Sequence, residues 1–412
     1  MAGTTNTTRV LGVPSGYPAE QVADLRIRVV DEDVLELSQW NELQMLKLFG
    51  GFSGAKDTIA AQDVNGWKYE WVLKDQWKQR TSVDNNPLAS GGTSLTLTGE
   101  AHRYPKGTIL QLGKFGDSDD PELVWVAAQV DADTLTIVRS YAGTTAAARA
   151  SGDDVYVAGF SDVEGTDWVL RTTPVKSVAY NFLTMCKGAV QGSWINEAIA
   201  RYGIPKGTDL AEQMADFMKQ RVQAFNNQLL LGRRNVGASA TDPSTMGGID
   251  EFVTSANGAY VADLGNAPLT LKDLADMVEN RVLAVGAENI GTTLVVDTWG
   301  WRKIQSFFDP GVRLDYDTTT TGLRVNKIRQ LGVELDVLMD SAVPKGKMYL
   351  LRPDRVDIVK APDGEHPSRL HIGIAGQTDE GDYKRMFIYG VYGMRVKNPE
   401  TMGIIHSYSL TS

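Results

Sequence analysis

Apolar and polar side chains alternate along the segment that begins at Trp67, and this period of two predicts a β-strand. The apolar face carries Trp67, Tyr69, Trp71 and Leu73. A second strand-like run, Trp168–Arg171, follows much later in the chain and could return antiparallel beside the first. We therefore predict a long hairpin built from residues 57–87 and 166–175, to whose aromatic character Trp77 and Trp168 add.

The chain between the two halves of this hairpin has a different pattern of apolar and turn-forming residues. Short β-rich runs are separated by turn clusters, and no helical period intervenes. The runs are Leu95–Thr98, Thr108–Leu112, Leu123–Val126, Leu135–Val138 and Val155–Val157. Short strands at this spacing are typical of a small antiparallel barrel or sandwich. We predict an all-β domain, residues 88–165, inserted into the hairpin.

The strongest helical pattern lies at Thr208–Leu231, where apolar residues recur every three or four positions. This stripe consists of Leu210, Met214, Phe217, Met218, Val222, Phe225 and Leu229. Asp209 followed by Glu212 is a capping-box signal for the start of the helix. A second amphipathic helix is predicted over Leu271–Val285, with Thr270 as its N-cap.

Strands dominate the rest of the chain. Residues 1–56 combine a Thr-, Gly- and Pro-rich arm with a helix predicted over Val29–Phe49. A strand is predicted at Thr293–Val296, and a hairpin of Leu370–Ile374 and Arg385–Val396 lies near the C-terminal end. A few helices beside mostly antiparallel strands indicate an α+β fold.

Composition narrows the class of protein. The 412 residues include 41 Lys and Arg against 51 Asp and Glu, a formal charge of −10, which argues against a basic nucleic-acid-binding protein. A single cysteine, Cys186, excludes a disulfide within the chain. The sequence has no secretory signal and no apolar window of transmembrane length, so we expect no membrane association.

Candidate catalytic and metal-binding residues are sparse. The sequence contains no phosphate-binding loop, no nucleophile elbow and no His-Glu-x-x-His zinc motif. His366 and His371 lack an acidic or cysteine partner at metal-ligand spacing, and the acidic turn Asp117–Asp120 lacks the pattern of a calcium loop. We therefore expect no enzyme activity, no metal and no cofactor.

The order of these elements resembles the major capsid protein of tailed bacteriophages, the fold named after phage Hong Kong ninety-seven. In that family an N-terminal arm, a long hairpin called the E-loop, a spine helix and a return through antiparallel strands follow one another. The matching segments are Trp67–Trp77, Trp168–Thr173, Thr208–Arg234, Thr245–Val253, Leu294–Trp299, Met348–Leu351 and Tyr389–Glu400. The inserted β domain departs from the plain family pattern. No long charged helical prefix precedes the arm, which by resemblance implies a separate scaffolding protein unless a longer precursor exists upstream of Met1.

The resemblance implies a subunit that assembles with its own copies into pentamers and hexamers. These would form an icosahedral or prolate head around packaged double-stranded DNA, without specific DNA binding. A scaffolding protein, a portal and a decoration protein are the other implied partners. The implied location is the virion, after synthesis in the cytoplasm of the bacterial host.

The resemblance also assigns domains and contact residues. It implies a peripheral domain of residues 176–245 and 346–412, which holds the spine helix, and an axial domain of residues 246–345. Assembly contacts are expected in two loops. Those of the E-loop are Trp67, Tyr69, Trp71, Trp77 and Trp168, and those of a second loop, the P-loop, are Asp379, Glu380, Asp382, Lys384 and Arg385.

Alternatives remain open at this point. The hairpin aromatics either pack on the β domain or lie in a groove between subunits, where aromatic residues are enriched. The chain could be a tail-tube or baseplate component, which would form rods or rings. It could also be an enzyme with an appended carbohydrate-binding module, in which Trp125 and Tyr141 stack on a sugar.

Overall fold

A computed structural model gives the structure of the chain. It describes residues 43–49, 62–74, 78–84, 87–97, 99–113, 121–165, 176–193, 209–237, 242–308, 327–362, 371–374 and 383–409. These residues divide into two compact units. One contains residues 188–193, 209–219, 372–374 and 383–387, and the other contains the remaining described residues. The fold is mixed α+β, as the sequence predicts.

The helices agree well with the sequence patterns. Their bounds are α1 (Gln44–Leu48), α2 (Asp209–Leu231), α3 (Ile249–Phe252), α4 (Leu271–Val285) and α5 (Thr298–Phe308). Thr270 caps α4 as predicted: its hydroxyl accepts the Asp273 N–H at 3.3 Å, and the Asp273 carboxylate accepts the Thr270 N–H at 2.7 Å. Of the helix predicted over Val29–Phe49, the part before Leu43 lies outside the described residues.

The strands are numbered in chain order. They are β1 (Gln62–Asp63), β2 (Lys68–Lys74), β3 (Arg80–Ser82), β4 (Ser94–Thr96), β5 (Thr108–Leu112), β6 (Glu122–Gln129), β7 (Thr134–Val138), β8 (Asp154–Phe160), β9 (Lys176–Phe182), β10 (Thr184–Ser193), β11 (Tyr260–Asp263), β12 (Thr293–Val296), β13 (Lys327–Gln330), β14 (Val333–Met339), β15 (Lys347–Leu351), β16 (Val356–Lys360), β17 (His371–Ile374), β18 (Tyr383–Val396) and β19 (Gly403–His406).

The predicted hairpin is present, but its second strand is not the predicted one. β2 pairs antiparallel with β9 in a two-stranded sheet, in a register that runs from Lys68 opposite Phe182 to Lys74 opposite Lys176. The prediction of Trp168–Arg171 as the return strand is therefore wrong for this pairing. Residues 166–175 lie outside the described residues. The alternation of Val178, Tyr180 and Phe182 is an equally good strand signal that the prediction overlooked.

The strands predicted for the β domain are all present, in one antiparallel sheet of order β3-β8-β5-β6-β7-β4. The sheet has its own hydrophobic core, which includes Leu95, Leu110, Val124 and Ile137. The chain just after β3 contacts the other outer strand, β4, because the Asp84 N–H donates to the Thr96 carbonyl at 3.2 Å. The predicted boundary at residue 88 lies inside this sheet, since β3 pairs with β8.

A second six-stranded sheet has the order β11-β19-β15-β12-β14-β13. The central strand β12 is fully buried and pairs parallel with β14 and antiparallel with β15. Because β15 and β19 belong to this sheet, it crosses the predicted boundary between an axial domain ending at residue 345 and a peripheral domain beginning at 346. These strand pairings join segments distant in sequence, and local patterns do not reveal them.

The third large sheet has the order β1-β16-β18-β10, with β17 paired to β18. Short helix α1 lies in the hydrophobic core beside it, with Met45 and Leu46 fully buried. Two side chains from other segments satisfy the first amides of α1. The Asp340 carboxylate accepts the Met45 N–H at 3.0 Å, and the Asn226 carbonyl accepts the Leu46 N–H at 3.0 Å.

The smaller unit contains the N-terminal part of α2. Leu210 and Met214 are buried there, as the predicted apolar stripe requires. A Cβ at Gly188 of β10 would lie 2.3 Å from the ring of Phe217, so glycine allows this strand to approach the helix. No helix within the described part of the chain is long and apolar enough to cross a membrane.

Candidate assembly interface

The inner face of the β2–β9 hairpin belongs to the core of its own chain. Tyr69 and Trp71 are each only 7% exposed. The Tyr69 hydroxyl donates to the Met394 carbonyl at 2.8 Å, and the Trp71 indole N–H donates to the Val396 carbonyl at 3.0 Å. The Trp71 ring also lies 5.7 Å from the ring of Phe252. Burial raises the pKa of the Tyr69 hydroxyl, which therefore stays protonated and keeps donating.

This arrangement corrects the predicted roles of Tyr69 and Trp71. Side chains that are buried against β18 and Phe252 have no surface left for a neighbouring subunit. These two rings do not belong to the core of the antiparallel six-stranded sheet, β3–β8, either. An isolated two-stranded hairpin has no core, and here β18 supplies one.

The outer face of the same hairpin carries exposed apolar side chains. Val72 and Val178 lie directly opposite each other on the two strands and are 61% and 58% exposed. Tyr180 is 38% exposed, and Trp67 at the hairpin root is 42% exposed. Lys68 and Glu70 form an ion pair on this face. We call the exposed surface of Val72, Val178 and Tyr180 the outer patch.

Trp67 has one fixed edge. Its indole N–H donates to the Ser244 hydroxyl at 2.9 Å, which holds the ring at the hairpin root while leaving much of it exposed. The other two tryptophans of the predicted interface, Trp77 and Trp168, lie outside the described residues. The structure thus replaces two predicted contact residues, Tyr69 and Trp71, by Val178 and Tyr180 of the return strand as candidates.

The predicted P-loop is described only at its C-terminal end. Asp379, Glu380 and Asp382 lie outside the described residues, whereas Lys384 and Arg385 belong to β18. The Arg385 guanidinium donates to the side-chain carbonyl of Gln191 at 3.0 Å. This cation therefore has a contact within its own chain, in addition to any that assembly would add.

Other chemistry is limited in the described part of the chain. No cluster of three or more His, Cys, Asp or Glu side chains there is arranged to hold a metal ion. Cys186 is half-buried on β10, and burial raises the pKa of its thiol, which keeps it in the less reactive protonated form. The exposed apolar side chains of the outer patch are therefore our candidate for a functional contact.

Sequence comparison identifies the family. The family model described as SU10 major capsid protein matches residues 41–409, which is most of the chain. The chain belongs to this family. It is a major capsid protein that assembles with its own copies into a capsid shell, its role is structural, and its location is the virion. No curated protein matches the chain in sequence.

Solved phage-type capsids are similar to the chain in structure. The capsid of the native GTA particle has a TM-score of 0.48 and 11% identity, covering 95% of this chain and 98% of that chain. The cyanophage A-1(L) capsid has a TM-score of 0.46 and 14% identity, covering 61% and 85%. Mycobacterium phage Bobi has a TM-score of 0.44 and 10% identity, covering 94% and 98%. Because these scores lie below 0.5, the family assignment rests on the family model.

Proposed function

We propose that copies of this capsid protein form pentamers and hexamers that close an icosahedral or prolate head around packaged double-stranded DNA. The family assignment supports the shell-forming role. Heterologous contacts between identical subunits generate closed rings, and rings tile a shell. Each contact can be weak, because many simultaneous contacts raise the effective concentration of every other one.

The observation that carries the proposal for the contact itself is the outer patch. A hairpin whose inner face is buried in its own chain presents Val72 opposite Val178 to solvent, with Tyr180 beside them. Apolar side chains grouped in this way on one exposed face support an interaction site there. We assign the hairpin to the E-loop, and a neighbouring subunit covers the outer patch.

A second contact involves the P-loop, residues 376–385. Its acidic residues Asp379, Glu380 and Asp382 pair with cations of a neighbouring subunit, and Lys384 and Arg385 follow them in sequence. Charge pairs at an interface set its register more than its affinity. Together the two loops give each subunit one apolar and one charged contact.

Other partners complete the head. A scaffolding protein guides assembly in the cytoplasm of the bacterial host, a portal occupies one vertex, and a decoration protein binds the outside. The antiparallel six-stranded sheet, β3–β8, thickens the shell. The packaged DNA is enclosed without specific binding, in keeping with the formal charge of −10.

The substitution Val72→Asp tests the outer patch. The 61% exposure of Val72 means that the unassembled subunit should fold normally, whereas an unpaired charge in a desolvated interface is strongly unfavourable. We expect Val72→Asp to remain unassembled when it is co-expressed with the scaffolding protein. Electron microscopy and sedimentation measure the assembly, and circular dichroism checks the fold.

Val130→Asp is the matched control, because Val130 is 64% exposed in the turn between β6 and β7. We expect this variant to assemble like the parent protein. Normal shells formed by Val72→Asp would contradict the role of the outer patch. Rods or open rings formed by the parent protein would contradict the closed head.

A further inference from the structure

The hairpin is attached to the rest of the subunit through a buried amide. Asn181 of β9 is fully buried, and its side chain makes four hydrogen bonds. Its NH₂ group donates to the carbonyls of Gly247 at 3.1 Å and Met394 at 2.7 Å. Its carbonyl accepts the N–H groups of Phe182 at 2.9 Å and Gly247 at 2.8 Å. Two of the four bonds therefore hold Gly247, which lies in the segment after α2.

The same segment holds the hairpin from its outer face. The Arg234 guanidinium lies 4.6 Å from the centre of the Tyr180 ring, and it donates to the Tyr180 carbonyl at 3.0 Å. Glu251 orients Arg234, accepting its side-chain Nε–H and its backbone N–H, each at 2.6 Å. The Lys68 ammonium lies 4.5 Å from the centre of the same ring.

We call residues 232–237 and 242–248 the strap. Backbone hydrogen bonds hold both ranges in place. The Gly232 N–H continues the pattern of α2 by donating to the Gln228 carbonyl at 2.9 Å, and the Gly248 N–H donates to the Gly232 carbonyl at 2.8 Å. Asn235 and Thr245 exchange two backbone hydrogen bonds at 3.1 and 3.0 Å. The strap is therefore continuous with the C-terminal end of α2 and closed on itself.

The strap leaves no room for a side chain where it meets the hairpin. A Cβ at Gly247 would lie 2.7 Å from Glu251 Oε2 and 2.8 Å from Arg234 Cγ. The backbone that Asn181 binds and the arginine that covers Tyr180 are thus packed against each other. A shift of the strap would change its contacts on both faces of the hairpin.

We propose that the strap fixes the direction of the hairpin relative to the C-terminal end of α2, and that Arg234 and Asn181 are positioning residues for capsid assembly. The inference rests on the proposed role of the hairpin as an intersubunit contact. The outer patch can reach a neighbouring subunit only if the hairpin leaves its own subunit in a suitable direction. The strap gives that direction a defined starting value before a neighbour binds.

A distance measurement in the full-length, unassembled subunit tests this directly. Spin labels are placed at Val72→Cys and Asn227→Cys, both exposed positions, in a Cys186→Ser background. Pulsed electron paramagnetic resonance should give a narrow distance distribution for this parent and a broad one after Arg234→Ala. Amide exchange of Lys68–Lys74 should become about tenfold faster, as expected for the loss of one charge-assisted contact. Particles formed by unlabelled Arg234→Ala should vary in size.

Arg233→Ala is the matched control, because it removes the same charge from an exposed neighbouring position. It should leave the distance distribution and the particles unchanged. Tyr180→Ala removes the ring that Arg234 and Lys68 flank, and since Tyr180 is partly exposed the variant should fold. Because Tyr180 also belongs to the outer patch, this variant is measured only in the unassembled subunit, where its distance distribution should broaden as in Arg234→Ala.

Narrow distance distributions in both Arg234→Ala and Tyr180→Ala, together with uniform particles of Arg234→Ala, would overturn the proposal. The separate result for Val72→Asp distinguishes this failure from a failure of the proposed interface. If Val72→Asp blocks assembly while Arg234→Ala and Tyr180→Ala keep the narrow distance distribution of the parent, the outer patch stands and the positioning role does not. If Val72→Asp assembles normally, the interface itself is wrong.

Discussion

A buried ion pair in the antiparallel six-stranded sheet, β3–β8, offers a sharp test of how this part of the subunit is stabilised. The Glu122 side chain is fully buried, and both of its oxygens accept from Arg139 at 2.6 Å. Arg139 also donates to the carbonyls of Ala89 and Ala147, at 2.8 and 2.6 Å. The pair therefore joins β6 to the end of β7 and to two adjacent loops. The substitution Glu122→Gln removes the negative charge while nearly preserving the volume.

The expected cost is large, because the substitution leaves the buried Arg139 charge without its counterion. Removing one partner of a buried pair costs about 3–5 kcal/mol. Domains are stable by only about 5–15 kcal/mol, so this sheet should lose much of its stability. A glutamine carbonyl can accept one of the two Arg139 bonds, which places Glu122→Gln at the lower end of that range.

Urea unfolding of the full-length subunit, followed by circular dichroism, measures the loss. Amide exchange of Glu122–Gln129 and Thr134–Val138 localises the effect, because a chain of two compact units need not unfold in one step. Glu334→Gln is the control: Glu334 pairs with Lys327 at 2.6 Å, but both side chains are more than half exposed. An exposed pair of this kind contributes little. The reasoning fails if Glu122→Gln changes stability and exchange no more than Glu334→Gln does.

Two further predictions concern solution conditions. Burial alone would raise the pKa of Glu122, but hydrogen bonds from Arg139 and from the Ser140 and Ala147 amides outweigh it and lower the pKa below its ordinary value of 4.5. The stabilisation is therefore complete above about pH 5 and is lost as the pH falls through the lowered pKa, and acid titration of unfolding should show a weaker dependence in Glu122→Gln. The purified subunit should also bind duplex DNA weakly and without a steep dependence on salt concentration, given its charge of −10, and a steep loss of binding between low and moderate salt would contradict this.

The sequence predicts those parts of the fold that depend on local patterns. The stripe from Leu210 to Leu229 and the cap at Thr270 identify two helices within a residue or two, because helix periodicity and N-capping are properties of neighbouring residues. The alternation of Tyr69 and Trp71 with polar residues identifies a strand and its buried face in the same way, whereas Trp67 of the same predicted face lies just before the strand and is exposed. The shell-forming role follows from the order of such elements and is confirmed by the family match.

The rest depends on contacts between distant segments. Nothing between Trp67 and Leu73 specifies whether Trp168–Arg171 or Lys176–Phe182 is the partner strand, since both runs suit an antiparallel pair. The sequence predicts that Tyr69 and Trp71 contact a neighbouring subunit, because the strand that covers them, β18, lies more than three hundred residues further along the chain. Asn181 gave no signal at all, because an asparagine in a strand ordinarily indicates an exposed position.

The way in which the hairpin is joined to its subunit explains why so few residues should control its direction. β2 and β9 form a two-stranded sheet and have no backbone ladder with β18 in the described residues. Side-chain donors take the place of that ladder: Tyr69 and Asn181 both donate to the Met394 carbonyl. A ladder would spread the attachment over many amides that substitution does not alter. An attachment through side chains concentrates it in a few positions, so a single substitution can reorient the hairpin while both sheets remain intact.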